Sequence, residues 1–339
     1  MSYITTDNLN SINAELSNYC NAACPMCNRF DWDLNLVKGK VNNSYTKLDV
    51  FVEKIGVKIV KQLQKLYSCG TYGDPATNPE CLQIFEFLRR NNPTMQITIH
   101  SNGGTRSKEF WSELAKLRVD VVFAIDGLEH TNHLYRRNVQ WATLMDNVKS
   151  YINAGGRATW QYLIFKHNQA QESDAKELSK KLGFVNFYSS FSYRWTDFNS
   201  DGEFRDITSI DLGDYKLEKP IQPKKLFKDT DIIDKDKCEI KNEMVNSFKN
   251  GKINCASCHN NNYEIYIMAN GYVSPCCYIG DLDQHEPKNI IKDYEKVNIN
   301  KTSLQEILEG NFFKDLENGI AGKPGSYRLQ SCWMTCGVK

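Results

Sequence analysis

The feature that most constrains the fold is a regular alternation of strand-like and helix-like stretches between residues 12 and 190. Short runs rich in apolar and β-branched residues indicate buried strands, and longer runs with apolar residues at helical spacing indicate helices. Because parallel strands joined by helices share one sheet with right-handed crossovers, the sequence predicts an α/β fold. The strands are predicted at 12–16, 66–70, 96–101, 119–125, 157–165 and 184–190, and the helices at 48–66, 79–90, 107–117, 139–154 and 170–182.

Polar and glycine-rich segments follow three of the predicted strands. They are Gly-Asp-Pro at 73–75 after the second strand, Ser-Asn-Gly at 101–103 after the third, and Asp-Gly at 126–127 after the fourth. In parallel α/β barrels the functional groups lie at the carboxyl ends of the strands. We therefore expect a functional site at that end of the sheet.

Three cysteines, Cys20, Cys24 and Cys27, follow the first predicted strand with the spacing C-x3-C-x2-C. Thiolates are the preferred ligands of iron–sulfur clusters, and three of them can hold three irons of a [4Fe–4S] cube while the fourth iron stays open. A structural zinc site would need a fourth ligand. A disulfide framework is disfavoured because residues 1–18 lack the basic and then apolar pattern of a secretory signal.

Charge and cysteine content limit the partners and the compartment. The chain has 42 basic and 41 acidic side chains, so nothing in its charge favours binding to nucleic acid or to an anionic membrane. Its apolar runs are far shorter than a bilayer span. Twelve cysteines without a secretion signal are typical of metal ligands or buried thiols in a reducing compartment. We expect a cytoplasmic protein without nucleic-acid or membrane partners.

The cysteine loop and the strand–helix units after it resemble the radical S-adenosylmethionine (SAM) enzymes over residues 10–191. The resemblance implies a partial (β/α)6 TIM-like barrel and a SAM-binding [4Fe–4S] cluster on Cys20, Cys24 and Cys27. It also implies reductive cleavage of SAM to a 5′-deoxyadenosyl radical that abstracts hydrogen from a substrate. The electron would come from an external donor such as flavodoxin or ferredoxin.

The same resemblance implies where SAM would be contacted. The family has a Gly-Gly-Glu-Pro-like segment that engages the SAM amino group, and here Tyr72 replaces its first glycine and Asp74 its glutamate. Ser101-Asn102-Gly103 corresponds to the Thr-Asn-Gly turn of the family, and Asp126 corresponds to the acid at the end of its fourth strand. Met26 stands where many members have an aromatic residue before the third cysteine. Each of these residues is also an ordinary turn or packing residue. The implied contacts are Met26, Gly73, Asp74, Ser101, Asn102 and Asp126.

A second group of cysteines occupies the last third of the chain. Cys258 precedes a predicted strand at 263–268, Asn-Gly at 270–271 predicts a hairpin turn, and Cys276 follows the second strand. This spacing resembles the opening of the SPASM and twitch extensions of radical SAM enzymes. The resemblance implies a small twitch-like domain, a β-hairpin plus a helix, with one auxiliary [4Fe–4S] cluster. Its implied ligands are Cys258, Cys276, Cys332 and Cys336.

The auxiliary site leaves alternatives open. Cys255 could replace Cys258 and Cys277 could replace Cys276, and zinc could occupy the same set of thiolates. A cluster with three ligands and an open iron for substrate is a further alternative. The predicted domains are a core barrel at 1–193, a connecting segment with short helices at 194–250 and an auxiliary-cluster domain at 251–339.

These features predict an oxidoreductase-type enzyme that performs dehydrogenation or bond formation on a small molecule or short peptide, with the auxiliary cluster handling the electron of the substrate radical. The nineteen residues before Cys20 leave no room for a leader-binding domain. Modification of a ribosomally made peptide or protein side chain is an alternative, and a non-enzymatic zinc- or cluster-binding protein is another. No catalytic side chain is predicted. The candidate substrate contacts are Trp160, Tyr162, Ser189, Tyr193 and Arg194.

Overall fold

The computed structural model describes residues 4–31, 34–36, 41–198, 204–221, 253, 263–279, 294–323, 332 and 336. The chain divides into two compact units. The first contains Met1–Ala14, Leu48–Leu66 and Gln222–Lys339, and the second contains Glu15–Lys47 and Tyr67–Ile221.

Among the described residues, the first unit has the strand order β12-β11-β1, and the second unit has the order β3-β4-β5-β6. Two small sheets pair β7 with β8 and β9 with β10. The strands are β1 Ser11–Ala14, β2 Lys65–Ser68, β3 Gln96–Ser101, β4 Asp120–Ala124, β5 Ala158–Ile164, β6 Asn186–Phe191, β7 Thr196–Phe198, β8 Phe204–Asp206, β9 Ser209–Asp211, β10 Lys216–Glu218, β11 Glu264–Ile267 and β12 Val273–Ser274.

Helices connect these strands. A π-helical segment, Val50–Ile55, leads into α1, and short 3-10 turns occur at Pro75–Thr77, Gln169–Gln171, Tyr193–Trp195, Cys277–Ile279 and Tyr294–Val297. The α-helices are α1 Gly56–Gln62, α2 Cys81–Asn91, α3 Lys108–Lys116, α4 Asn132–Tyr135, α5 Trp141–Asn153, α6 Glu172–Leu182, α7 Leu304–Leu308 and α8 Asn311–Ile320.

In the first unit, strands from opposite ends of the sequence lie side by side. β1 pairs in parallel with β11, with Ser11 opposite Glu264, and the Ser11 hydroxyl donates to the Glu264 carboxylate at 2.9 Å. β11 and β12 form the predicted antiparallel hairpin. Gly271 in its turn has φ +92°, and a Cβ there would lie 2.1 Å from the Asn300 amide nitrogen, so only glycine fits.

In the second unit, β3 to β6 are parallel, as predicted, and each strand pairs with the next one along the chain. Four of the five β4 residues are buried, as expected for a strand covered by helices on its faces. An aromatic cluster of Trp111, Phe123 and Tyr151 packs α3 and α5 onto the sheet, with ring centroids 5.2 Å and 5.6 Å from Phe123. The predicted α/β class and the mostly parallel sheet are confirmed.

Two stretches differ from their predicted structure. The helix expected at 48–66 ends at Gln62, and β2 begins at Lys65, because the Gln64 and Lys65 N–H groups both donate to the Asn10 carbonyl. Short helices were expected after residue 194, but the described residues there form mainly the β7–β8 and β9–β10 hairpins. The second hairpin turns at Gly213, whose φ of +83° a helix does not allow.

The described residues include no helix that is both long enough and apolar enough to cross a membrane.

Candidate active site at the cysteine loop

The three cysteines of the loop that follows β1 are free thiols, with Cys24 buried and Cys20 and Cys27 half-buried. The Cys27 N–H donates to the Cys24 carbonyl at 3.1 Å, so the second half of the loop is a tight turn. The Ala22 N–H donates to Cys20 Sγ at 3.4 Å. Burial raises the pKa of Cys20 to about 12, so this thiol keeps its proton near pH 7 when no metal ion is bound.

The buried side chain of Arg29 binds carbonyl groups of the cysteine loop. The sequence analysis did not predict a role for this residue. Its guanidinium donates to the Cys20 carbonyl at 3.2 Å and to the Ala22 carbonyl, and it lies 5.1 Å from the centroid of the Phe30 ring. The residue is only 4% exposed. Although burial lowers the pKa of Arg29, the three nearby thiols raise it above its ordinary value. The loop therefore encloses a fixed positive charge.

Asp74, which follows β2, ties two strand ends together. Its carboxylate accepts hydrogen bonds from the Ser101 hydroxyl at 2.9 Å, from the Asn102 N–H at 2.8 Å and from the Ala76 N–H at 3.0 Å. Burial raises the pKa of Asp74, and these hydrogen bonds oppose the change. The carboxylate is thus held inside the turn after β3. Its predicted contact with the SAM amino group stays a prediction.

Asn102 connects this turn to the cysteine loop. Its side-chain amide nitrogen lies 2.8 Å from the Asp74 carboxylate, 2.9 Å from the Asn21 side-chain oxygen and 3.4 Å from Cys20 Sγ. The predicted residues Asp74, Ser101 and Asn102 therefore lie in one hydrogen-bonded network that reaches Cys20.

Gly73 packs closely against the segment that leads into the cysteine loop. A Cβ at this position would lie 2.0 Å from the Ser17 carbonyl oxygen, so glycine is required by close approach. The neighbouring Tyr72 N–H donates to the buried Glu15 carboxylate. These contacts fix the segment at 72–74 beside the loop.

Asp126 and Arg136 form a buried ion pair next to Cys24. Arg136 Nε lies 2.5 Å from the Asp126 carboxylate, and Arg136 Nη1 lies 3.6 Å from Cys24 Sγ. The Leu163 N–H also donates to Asp126, at 2.6 Å. Although burial lowers the pKa of Arg136, Asp126 and Cys24 raise it, so the guanidinium keeps its charge. Asp126 was predicted, but Arg136 was missed because nothing in the sequence distinguishes it from Arg137.

The other predicted contacts lie in different parts of the second unit. Arg194 lies at the loop, because its guanidinium donates to the carbonyl of Met26, a buried residue. Trp160 and Tyr162 are fully buried and donate to backbone carbonyls at 2.8 Å, so they belong to the core. The Ser189 hydroxyl donates to Glu172, and the backbone of Tyr193 lies in a 3-10 turn.

Two aromatic residues near the ends of β5 and β6 have buried polar atoms that find no partner in the described part of the chain. They are His167, through both ring nitrogens, and Trp195, through its indole N–H. Both pack around Phe165, with ring centroids 5.7 Å and 6.1 Å away. Burial and the nearby His133 lower the pKa of His167 to about 4, so its ring is neutral near pH 7. Sequence reasoning gave neither residue a role.

The thiols of the loop fit an iron–sulfur cluster held by Cys20, Cys24 and Cys27. Three cysteine sulfurs suit such a cluster, and beside them the Arg29 Nε–H is a buried donor that no described residue pairs with. No three His, Cys, Asp or Glu side chains of the described residues lie close enough to hold a single metal ion. A [4Fe–4S] cluster does not require this, since each thiolate binds a different iron.

Four of the C-terminal cysteines lie in the described part of the chain, and all four are half-buried. Cys276 follows β12, and its carbonyl accepts from the Ser274 hydroxyl at 2.9 Å. Cys277 begins a 3-10 turn. The remaining two are Cys332 and Cys336. The predicted ligand Cys258 and its alternative Cys255 lie outside the described residues, so the auxiliary ligand set stays a prediction.

Two family profiles match the sequence. Residues 14–178 match the Radical SAM superfamily, and residues 242–337 match SPASM, an iron–sulfur cluster-binding domain. These domains indicate [4Fe–4S] clusters and SAM as cofactors. No curated protein matches the chain.

Solved structures with a similar fold include Streptococcus suis SuiB, at 14% identity and a TM-score of 0.55, over 92% of this chain and 67% of SuiB. SuiB bound to its precursor peptide SuiA is similar at 13% identity and a TM-score of 0.52, over 90% and 66%. Native anSMEcpe with bound AdoMet is similar at 13% identity and a TM-score of 0.54, over 90% and 82%. At these identities the likeness concerns the fold alone.

Proposed function

We propose that this chain, which belongs to the radical SAM superfamily and carries a SPASM domain, oxidises or cross-links a short peptide or small molecule by removing hydrogen from carbon. When bound at the loop, the cluster and SAM supply the reductively generated radical for that step. The electron would come from a donor such as flavodoxin or ferredoxin.

The observation that carries the proposal is the arrangement of polar groups around the cysteines. Asn102, held by Asp74, reaches Cys20, and Arg136, held by Asp126, reaches Cys24. The sulfurs of Cys20 and Cys24 thus each face a hydrogen-bond donor that a buried carboxylate holds in place. The guanidinium of Arg136 also places a cation where the carboxylate of an amino-acid ligand such as SAM could bind.

A substrate would bind near the ends of β5 and β6. His167 and Trp195 supply buried hydrogen-bonding atoms that no described residue satisfies, and such atoms are costly unless a ligand or water pairs with them. A neutral imidazole and an indole N–H suit an uncharged polar group such as an amide or hydroxyl. Peptides offer both, and peptide complexes are known for SuiB and anSMEcpe.

The C-terminal cysteines would hold an auxiliary [4Fe–4S] cluster that accepts the electron of the substrate radical. Their number and half-buried position support ligation by thiolates. An electron acceptor of this kind would allow dehydrogenation or bond formation to finish without consuming a second oxidant.

The test is the release of 5′-deoxyadenosine from SAM by anaerobically reconstituted protein with dithionite. Cys24→Ala should abolish the product, because it removes a cluster ligand. Cys81→Ala is the matched control, since this buried cysteine lies in α2 and should leave the activity in place. Undiminished product from Cys24→Ala would refute the SAM site.

A further inference from the structure

Arg29 is the buried cation of the cysteine loop, and its charge has no carboxylate partner among the described residues. Arg136 and Arg137, which also lie near the loop, differ in this respect, because Arg136 pairs with Asp126 and Arg137 pairs with Asp214. The charged or ionisable side chains around Arg29 are the three loop cysteines, and the Cys27 side chain also forms a hydrogen bond with its guanidinium.

A buried guanidinium without an anion is unfavourable because it loses its hydration. Backbone carbonyls of Cys20 and Ala22 satisfy two of its nitrogens, but they bring no net charge. The third nitrogen, Nε, is buried and has no hydrogen-bond partner among the described residues. A cluster held by three thiolates would supply both missing features, since it carries net negative charge and sulfur acceptors.

We propose that Arg29 is the counter-ion of the iron–sulfur cluster and raises its reduction potential by stabilising the more negative, reduced form. This inference rests on the proposed function, because it requires a cluster in the loop. The guanidinium is fixed for this task by its two carbonyl contacts and by the Phe30 ring below it. Nearby charge and hydrogen bonds to sulfur are established determinants of cluster potential.

The test compares Arg29→Gln with Arg29→Lys by potentiometric titration, followed by the electron paramagnetic resonance signal of the reduced cluster. A change of this signal on adding SAM identifies the cluster of the loop. Arg29→Gln should shift the midpoint potential to more negative values, and Arg29→Lys should stay close to the wild type because it keeps the charge. Equal potentials in all three proteins would overturn the proposal, even if iron content fell.

Arg89 provides the matched control. Its guanidinium also donates to backbone carbonyls, those of Leu117 and Met95 at 2.9 Å and 2.8 Å, but it contacts no cysteine. Arg89→Gln should leave the potential unchanged. If Arg29→Gln binds no iron, the Arg29→Lys variant decides whether Arg29 acts as the counter-ion. A wild-type midpoint potential in Arg29→Lys supports this role. Failure of Arg29→Lys to bind iron contradicts it.

The same experiment separates this inference from the proposed function. A wild-type protein that shows no SAM-sensitive signal would refute the SAM cluster itself. A wild-type protein that shows the signal and cleaves SAM, with an unaltered potential in Arg29→Gln, would refute only the role of Arg29.

Discussion

At the scale of single residues, the candidate site is organised by buried carboxylates that hold other side chains in place. Asp74 fixes Asn102, and Asp126 fixes Arg136. The sequence predicted both acids from their position after strands, but it did not predict what they hold. Arg136 and Arg29 were missed because an arginine in a loop is usually exposed, and only the fold buries these two.

Gly73→Ala should disrupt the site through a steric conflict. The new Cβ would meet the Ser17 carbonyl at 2.0 Å, so the segment leading to the cysteines must shift. We expect a loss of about 1–3 kcal/mol in unfolding free energy and a loss of bound iron. Gly213→Ala is the control: it strains a positive φ but meets no atom within 4 Å, so iron should stay bound. Full iron in Gly73→Ala would contradict this reading.

His100 should make the stability of the protein depend on pH. Burial lowers its pKa from 6.5 to about 4, so the folded protein disfavours the charged ring that the unfolded chain readily forms. Its contribution to stability is complete above about pH 6.5 and is lost as the pH falls towards about 4, by up to about 3 kcal/mol. Denaturation at several pH values should show that the unfolding free energy of His100→Gln depends less steeply on pH than that of the wild type. An unchanged pH dependence would contradict this role of His100. The control His130→Gln, which changes an exposed residue, should leave the pH dependence as it is in the wild type.

At the scale of elements, local patterns were predicted well and distant pairings were not. The core strands after β2 lie within a few residues of their predicted positions because apolar periodicity is a local signal. The pairing of β1 with β11 joins residues 253 positions apart, and no local pattern encodes it. The β9–β10 hairpin was missed because its strands have three residues each.

The β9–β10 hairpin is held against the loops after β4 and β5 by ion pairs, Arg137 with Asp214 and Lys166 with Glu218. Removing both acids, Asp214→Asn with Glu218→Gln, should speed hydrogen exchange of the hairpin amides, while the core strands stay protected. Exposed pairs contribute little to global stability. Glu177→Gln, which removes an exposed pair within α6, is the control. Unchanged exchange would show that backbone contacts alone hold the hairpin.

At the scale of the whole molecule, the two cysteine groups correspond to two matched domains, Radical SAM at 14–178 and SPASM at 242–337. The predicted family and its cofactors are confirmed. The family could be predicted from the sequence because the spacing of Cys20, Cys24 and Cys27, and that of Cys258, Gly271 and Cys276, resembles the motifs of the family. The substrate could not be predicted, since the groups that would recognise it, such as Trp195, come together only through the fold.

The most direct measurement of the central claim is iron and sulfide per chain after anaerobic reconstitution, for the wild type and for Cys332→Ala with Cys336→Ala. We predict about eight irons in the wild type and about four in the double variant, because each [4Fe–4S] cluster holds four. Release of 5′-deoxyadenosine should persist in the double variant. About four irons in the wild type, with zinc in the remaining cysteines, would contradict a two-cluster enzyme.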